Sequence, residues 1–160
     1  MSFNQSSMIG ADFNTTSTTA LFALLTPARG SDNSEWVYAH SNTAHTTGQI
    51  LALNSVGTGI NATTAAATSG TYSFGFVPSL AWTAGDYGWL CTRGNNVYAQ
   101  MSGTAVPNTQ LYIANTPGAL TTNAASGTMM GVELIVSSST ASLVVTTAIL
   151  TWPRSVPALG

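Results

Sequence analysis

Few side chains in this sequence could do chemistry near neutral pH: the only thiol, Cys91; two imidazoles, His40 and His45; and the carboxylates Asp32, Glu35 and Asp86, with Arg93 in the same region. The stretch WTAGDYGWLCTRGNN, Trp82 to Asn96, gathers a thiol, a carboxylate and a guanidinium, the kit of a cysteine nucleophile with electrostatic partners. A nucleophilic thiol needs a histidine, a lysine or another cation to lower its pKa. The strand pattern flanks Cys91 with aromatic residues rather than with a histidine or lysine. Gly85 and Asp86 mark a turn, Tyr87 starts a strand, and Tyr87, Trp89, Cys91 and Arg93 share one face. Gly94-Asn95 is placed for a two-residue hairpin turn, which would set Cys91 opposite Tyr98 and Trp89 opposite Gln100. In that register the thiol is a small, inert hydrophobe.

The other candidates dissolve in the same way. His40 and His45 have no Asp, Glu or Cys beside them to complete a zinc set, so no metal is expected. Asp32 and Glu35 lie close together in RGSDNSEW, where a turn-forming Asp beside Asn33 explains them without acid/base work. No G-x-S-x-G elbow accompanies the many serines. Gly57, Gly59 and Ala62 fit a dinucleotide-loop pattern, but the helix start and the later acidic residue it requires are missing. The acceptor triplets at Asn4, Asn14 and Asn61 are chance matches in a chain this rich in Ser and Thr. A threonine array for binding ice would need a fixed-period repeat, and none is found. The expectation is a protein that is not an enzyme, with no catalytic residues and no cofactor.

The elements that hold these residues follow from composition and punctuation. The chain has 160 residues, enough for one domain with its own core. Charged residues are only 5%, against about 25% in an ordinary globular protein, and the net charge is −2. Mean hydropathy is +0.23. So uncharged an exterior favours association over colloidal solubility, which points to an assembly component. Arg29, Arg93 and Arg154 are too few and too scattered to neutralise a run of phosphates, so no nucleic acid is expected. ALFALL and SLVVTTAILTW are too short to span a bilayer, so no membrane is expected either. The N-terminal MSFNQSSMIGADF lacks the basic and apolar regions of a secretory signal.

Residues 1–30 are rich in Ser, Thr and Asn and read as an extended N-terminal arm whose docking patch is ALFALL; the plainer reading is a tail followed by an edge strand. Residues 31–160 read as all-β, a single compact antiparallel β-sandwich or barrel-like domain. Strands are expected over Glu35 to His40, Gln49 to Leu53, Tyr72 to Val77, Tyr87 to Thr92, Val97 to Met101, Gln110 to Ala114, Gly131 to Val136 and Leu143 to Trp152. Tyr72, Phe74 and Phe76 alternate and must share a buried face. Gly57 to Thr71 and Ala114 to Thr128 have weak strand signals and read as loops or protruding hairpins, the second turning at Pro117-Gly118.

The order of several short motifs resembles the capsid decoration, or cement, proteins of tailed bacteriophages. The motifs are GSDNSEWVYA (30–39), GDYGW with RG (85–94), LYIANTPGAL (111–120), GV (131–132) and WPRS (152–155). The resemblance implies a β-rich homotrimer on the outer capsid surface of a virion, made in the host cytoplasm, bound to the major capsid protein through its N-terminal arm. Sequence position marks Leu21, Phe22, Leu24, Leu25, Trp82, Trp89, Arg93 and Trp152 as capsid or subunit interface residues. Removing residues 1–25 is expected to leave a folded domain that no longer binds capsids. Two alternatives stand beside this: a fibre or surface-adhesin module that binds glycans through exposed aromatic rings, and a small hydrolase built around Asp86, Cys91 or a histidine.

Overall fold

The computed structural model describes residues 11–69, 72–78, 80–123, 127–135 and 143–157. Its strands are β1 (Pro27–Arg29), β2 (Glu35–Ser41), β3 (Ile50–Leu53), β4 (Thr58–Asn61), β5 (Ser73–Phe76), β6 (Tyr87–Ser102), β7 (Leu111–Ile113), β8 (Leu120–Thr121), β9 (Gly127–Leu134) and β10 (Leu143–Pro157). A single short helix, α1 (Thr64–Ser69), accompanies them among the described residues. The architecture is a compact all-β domain, as its composition requires, built on a closed five-stranded barrel with further strands outside it. No helix among the described residues is long and apolar enough to cross a membrane.

The barrel runs β2–β4–β3–β5–β6 and back to β2, with β2–β4 its one parallel pair. Strand β3 is buried on both faces, which is why ILAL is apolar throughout and does not alternate. Leu51 and Leu53 pack with Ala39, Leu90 and Trp82 inside the ring, while Ile50 and Ala52 pack with Phe74 and Phe76 on its outer side. The interior is narrow. A Cβ on Gly59 would lie 2.9 Å from Leu51 Cδ2, one on Gly75 2.9 Å from Leu90 Cβ, and one on Gly88 2.7 Å from the Trp82 ring. Small strand residues let so tight a ring close around large ones.

A second circuit repeats the first. It runs β6–β8–β7–β9–β10 and returns to β6, again with one parallel pair, Met101 opposite Leu120. The registers match residue by residue. Val37, Tyr38 and Ala39 of β2 face Leu90, Trp89 and Gly88 of β6. Val97, Tyr98 and Ala99 of β6 face Ala148, Thr147 and Thr146 of β10. Ser41 opposite Gly59 corresponds to Met101 opposite Leu120, and Leu53 opposite Gly59 to Ile113 opposite Leu120. The turns correspond too: Gly57 (φ 81°) closes the β3–β4 hairpin and Gly118 (φ 78°) the β7–β8 hairpin. The long strand β6 belongs to both rings, its first half to one and its second half to the other.

Several expectations change. No hairpin forms at Gly94-Asn95, because β6 runs straight through it and gains β10 as a new neighbour where β2 ends. Val97 faces Ala148 and Gly94 faces Leu150, so the Gly94-Asn95-Asn96 signal is a bulge that re-aims the strand. The positive φ expected of a turn falls instead on Gly103, just past the strand (108°). Cys91 therefore faces Trp36 and Phe76, and Trp89 faces Tyr38. The segment 57–71 holds β4 and all of α1, and 114–128 holds β8 and the start of β9; β4, α1 and β8 are too short to register as elements in the sequence. Residues 27–29 form an edge strand on β2.

Residues 11–26 lie against the domain. Ser17 and Tyr87 exchange backbone hydrogen bonds of 2.9 and 2.7 Å, and the Leu25 N–H donates to the Tyr38 carbonyl at 2.8 Å. Phe13 stacks on Trp36 with ring centroids 4.7 Å apart, and Phe22 meets Tyr38 and Trp89 at 5.2 Å. The segment thus roofs the outer face of β2 and β6 over an aromatic cluster of Tyr38, Trp89, Trp36 and Tyr87. Deleting residues 1–25 would take Phe13, Phe22 and Leu24 out of that packing.

Candidate functional site

The chemistry-bearing side chains of Trp82 to Asn96 each hold the fold. Asp86 is buried, and its Oδ2 accepts the Thr83 N–H at 2.7 Å, closing the turn in which Gly85 takes φ 93°. Cys91 is fully buried beside Phe76, and its S–H donates to the Arg93 carbonyl at 3.3 Å. Burial pushes its thiol pKa up to about 12, the hydrogen bond to Arg93 opposing this and the charge of Asp32 adding slightly to it. Such a thiol is protonated at any physiological pH and is a poor nucleophile. Arg93 and Arg29 share the Glu35 Oε1, at 3.3 and 2.9 Å, with both guanidinium groups well exposed. Pairs this wet contribute about 0–1 kcal/mol each.

The carboxylates that neighbour one another in sequence part in space. Asp32 accepts from the Ser34 N–H (3.1 Å) and hydroxyl, and Ser34 Oγ accepts the Trp36 indole N–H at 2.7 Å. The Ser34 hydroxyl is the main reason its pKa falls below the usual carboxylate value. Asp32 serves a turn while Glu35 serves two arginines. His45 is buried, with Nδ1 2.8 Å from Asn61 Oδ1, and its ring meets Trp82 edge-on at 6.4 Å. Burial lowers its pKa, with the Asn61 hydrogen bond partly offsetting the effect. His40 lies against Tyr87, ring centroids 4.5 Å apart. Among the described residues, no three His, Cys, Asp or Glu side chains stand together as a metal site would require.

The residues expected at an interface divide sharply. Trp82 and Trp89 are each 2% exposed, so neither ring can reach a partner or a glycan. This is a correction with a simple cause: strand alternation says which residues share a face, but not that the barrel interior and the N-terminal segment cover both faces here. Phe22 and Leu24 are half-buried in the aromatic cluster. Leu21 (66%) and Leu25 (40%) are exposed. Arg93 is held at the surface by Glu35. Trp152 stands in β10, and its side chain lies outside the described residues.

Two surface features remain. ALFALL alternates, Phe22 and Leu24 inward with Leu21, Ala23 and Leu25 outward, and exposed Val56 adjoins Gly57, whose Cα region abuts Leu24 and Leu25. The second is a half-open cleft of about 160 Å³, lined by Trp36, Tyr98, Asn14, Asp32 and Asn95 with Cys91 at its floor. Sequence reasoning missed Tyr98 and Trp36 as rim residues.

Compared with protein-family models, curated proteins and solved structures, the chain matches none. Its function has to be argued from the arrangement alone.

Proposed function

We propose that the protein is a structural component that binds an assembled shell, a decoration or cement protein on the outer surface of a phage capsid. The observation that carries this reading is the two-sided ALFALL segment. Its inward side chains anchor it to the domain, while Leu21, Ala23 and Leu25 present uncharged apolar surface to the outside. With 5% charged residues, the chain has little charge with which to recognise a partner, so an exposed apolar patch is a natural point of contact. The motif order that resembles the cement proteins supports the same reading, with the major capsid protein as partner and a homotrimer as the bound form. A protein that binds only the assembled shell stabilises it by mass action, and many copies add up.

The test is co-sedimentation of purified protein with intact particles. Leu21→Asp combined with Leu25→Asp should leave circular dichroism unchanged and weaken particle binding at least tenfold, about 1.4 kcal/mol. Undiminished binding by that variant would remove ALFALL from the mechanism, and a wild-type protein that never co-sediments would remove the function.

A second reading, a glycan-binding fibre or adhesin module, draws on the cleft, which Trp36 and Tyr98 line beside Asp32 and the asparagines. Calorimetric titration with mono- and disaccharides, wild type against Trp36→Ala, decides it: no heat at millimolar sugar excludes the reading.

A further inference from the structure

The cleft between the turn at 30–34 and the middle of β6 carries a negative charge that the chain itself does not answer. It is lined by Asp32, Trp36, Tyr98 and Asn95, with Pro78 and Val97 adding apolar wall. Asp32 is fixed in place. Its Oδ1 accepts both the N–H and the hydroxyl of Ser34, and Ser34 Oγ accepts the Trp36 indole N–H, so carboxylate and ring are joined by one chain of hydrogen bonds. Phe13, stacked on Trp36 at 4.7 Å, holds that ring. The turn has no spare room: a Cβ on Gly30 would collide with Ser34 Oγ and lie 2.6 Å from Asp32 Oδ1. The second carboxylate oxygen, Oδ2, accepts no hydrogen bond from the described residues. No cation among them pairs with Asp32 either, since Arg29 and Arg93 both go to Glu35 and the sequence has no lysine. Its charge is felt inside the cleft, where it adds to the burial that keeps the Cys91 thiol protonated.

We propose that this cleft binds the guanidinium group of an arginine side chain supplied by a partner protein. A carboxylate with no cation of its own selects a positive group, and aromatic side chains beside it favour the same sign. Size sets the next limit. The cleft, about 160 Å³, falls below the roughly 300 Å³ of pockets that enclose a whole small ligand, so it takes one side chain rather than a free molecule of drug size. The mixed lining then decides between cations: Asp32 Oδ2 and the Asn95 amide call for several N–H donors, while Trp36, Pro78 and Val97 call for a weakly hydrated group. A guanidinium is planar, weakly hydrated and rich in N–H donors. An alkylammonium is strongly hydrated, and a quaternary ammonium has no N–H to give. The other aromatic cavity, lined by Asp12, Tyr38, Tyr87 and Trp89, is much smaller at about 50 Å³, which makes its carboxylate a matched control. The contact is separate from ALFALL, and it holds whether or not the partner is a shell.

The test uses the purified protein without particles, so it stands apart from the shell-binding reading. The probe is a blocked arginine, N-acetyl-arginine methylamide, against its citrulline counterpart, which has the same shape without the charge. Followed by NMR, millimolar arginine probe should shift the Trp36 indole N–H and the Ser34 and Asn95 amides, and citrulline should leave them in place. Asp32→Asn keeps an acceptor for Ser34 and removes only the charge. It should weaken arginine binding at least about tenfold, whereas Asp12→Asn should leave it unchanged. If Asp32→Asn does not fold, Tyr98→Ala, at an exposed position, gives the reading with a loss of at least about threefold. Equal binding of arginine and citrulline, an Asp32→Asn protein that binds as wild type does, or no shift at millimolar arginine overturns the proposal. Choline binding more tightly than the blocked arginine overturns it too and assigns the cleft to a free quaternary ammonium. So does a disaccharide that binds where arginine does not, which assigns the cleft to a glycan.

Discussion

Cys91 and His45 show how burial converts reactive groups into structural ones. With its pKa at about 12, the Cys91 thiol is protonated by a wide margin at pH 8. Native protein should therefore resist a thiol-specific reagent at pH 8 and label fully once unfolded; rapid labelling in the folded state would contradict its burial. Cys91→Ala should cost about 1 kcal/mol, measured by urea unfolding, because a small buried group is lost from a packed site. His45 makes a prediction of opposite character. Its folded pKa is depressed below 6.5, first by burial, so the folded protein holds the neutral ring where the unfolded chain already binds a proton. Stability is then complete above pH 6.5 and declines as pH falls from 6.5 toward the folded value. Melting curves between pH 7.5 and 5 should show this decline in wild type, and His45→Asn should flatten it over that interval.

At the scale of elements, the narrow first ring and the roof over it carry the sharpest tests. Gly88→Ala would put a methyl 2.7 Å from the buried Trp82 ring, which has no free side to move toward. It should destabilise by about 1–3 kcal/mol, the usual cost of overpacking. Deleting residues 1–25 removes Phe13, Phe22 and Leu24 from the aromatic cluster. Half-buried groups of this size contribute on the order of 1 kcal/mol each, so the truncated protein should lose about 3 kcal/mol and gain dye-binding surface. A melting temperature equal to wild type would mean that the segment only rests on the domain. Alternation read from sequence was sound for these strands: Phe74 and Phe76 share a buried face, and Tyr72 packs against the same cluster. It failed where an element had little apolar pattern to show, as with β4 (TGIN) and β8 (LT), whose pairing comes from neighbours rather than from their own residues.

The whole molecule is two rings on one strand. Because β6 belongs to both, neither can open without removing a wall of the other, and unfolding should be a single cooperative event. Gly88→Ala in the first ring and Leu120→Ala in the second should each shift the same urea midpoint, Leu120→Ala by about 2–5 kcal/mol. Two separated transitions would show that the rings fold independently.

The sequence by itself determined the fold class and the turn role of Asp86, which rest on strand alternation and turn residues. The inert reading of Cys91 rests there on a hairpin register that does not form; burial beside Phe76 is what raises its pKa. The sequence also contained the echo of the duplication in Val37-Tyr38-Ala39 and Val97-Tyr98-Ala99, although so short a match has no weight without a shared register. Only the tertiary structure decided that Gly94-Asn95 is a bulge within a strand, since that choice depends on β10 waiting as a partner. It alone showed that Trp82 and Trp89 are interior while Leu21, Leu25 and Tyr98 face out. A strand's two faces are fixed by its own residues, but what lies against each face is supplied by chain that is distant in sequence.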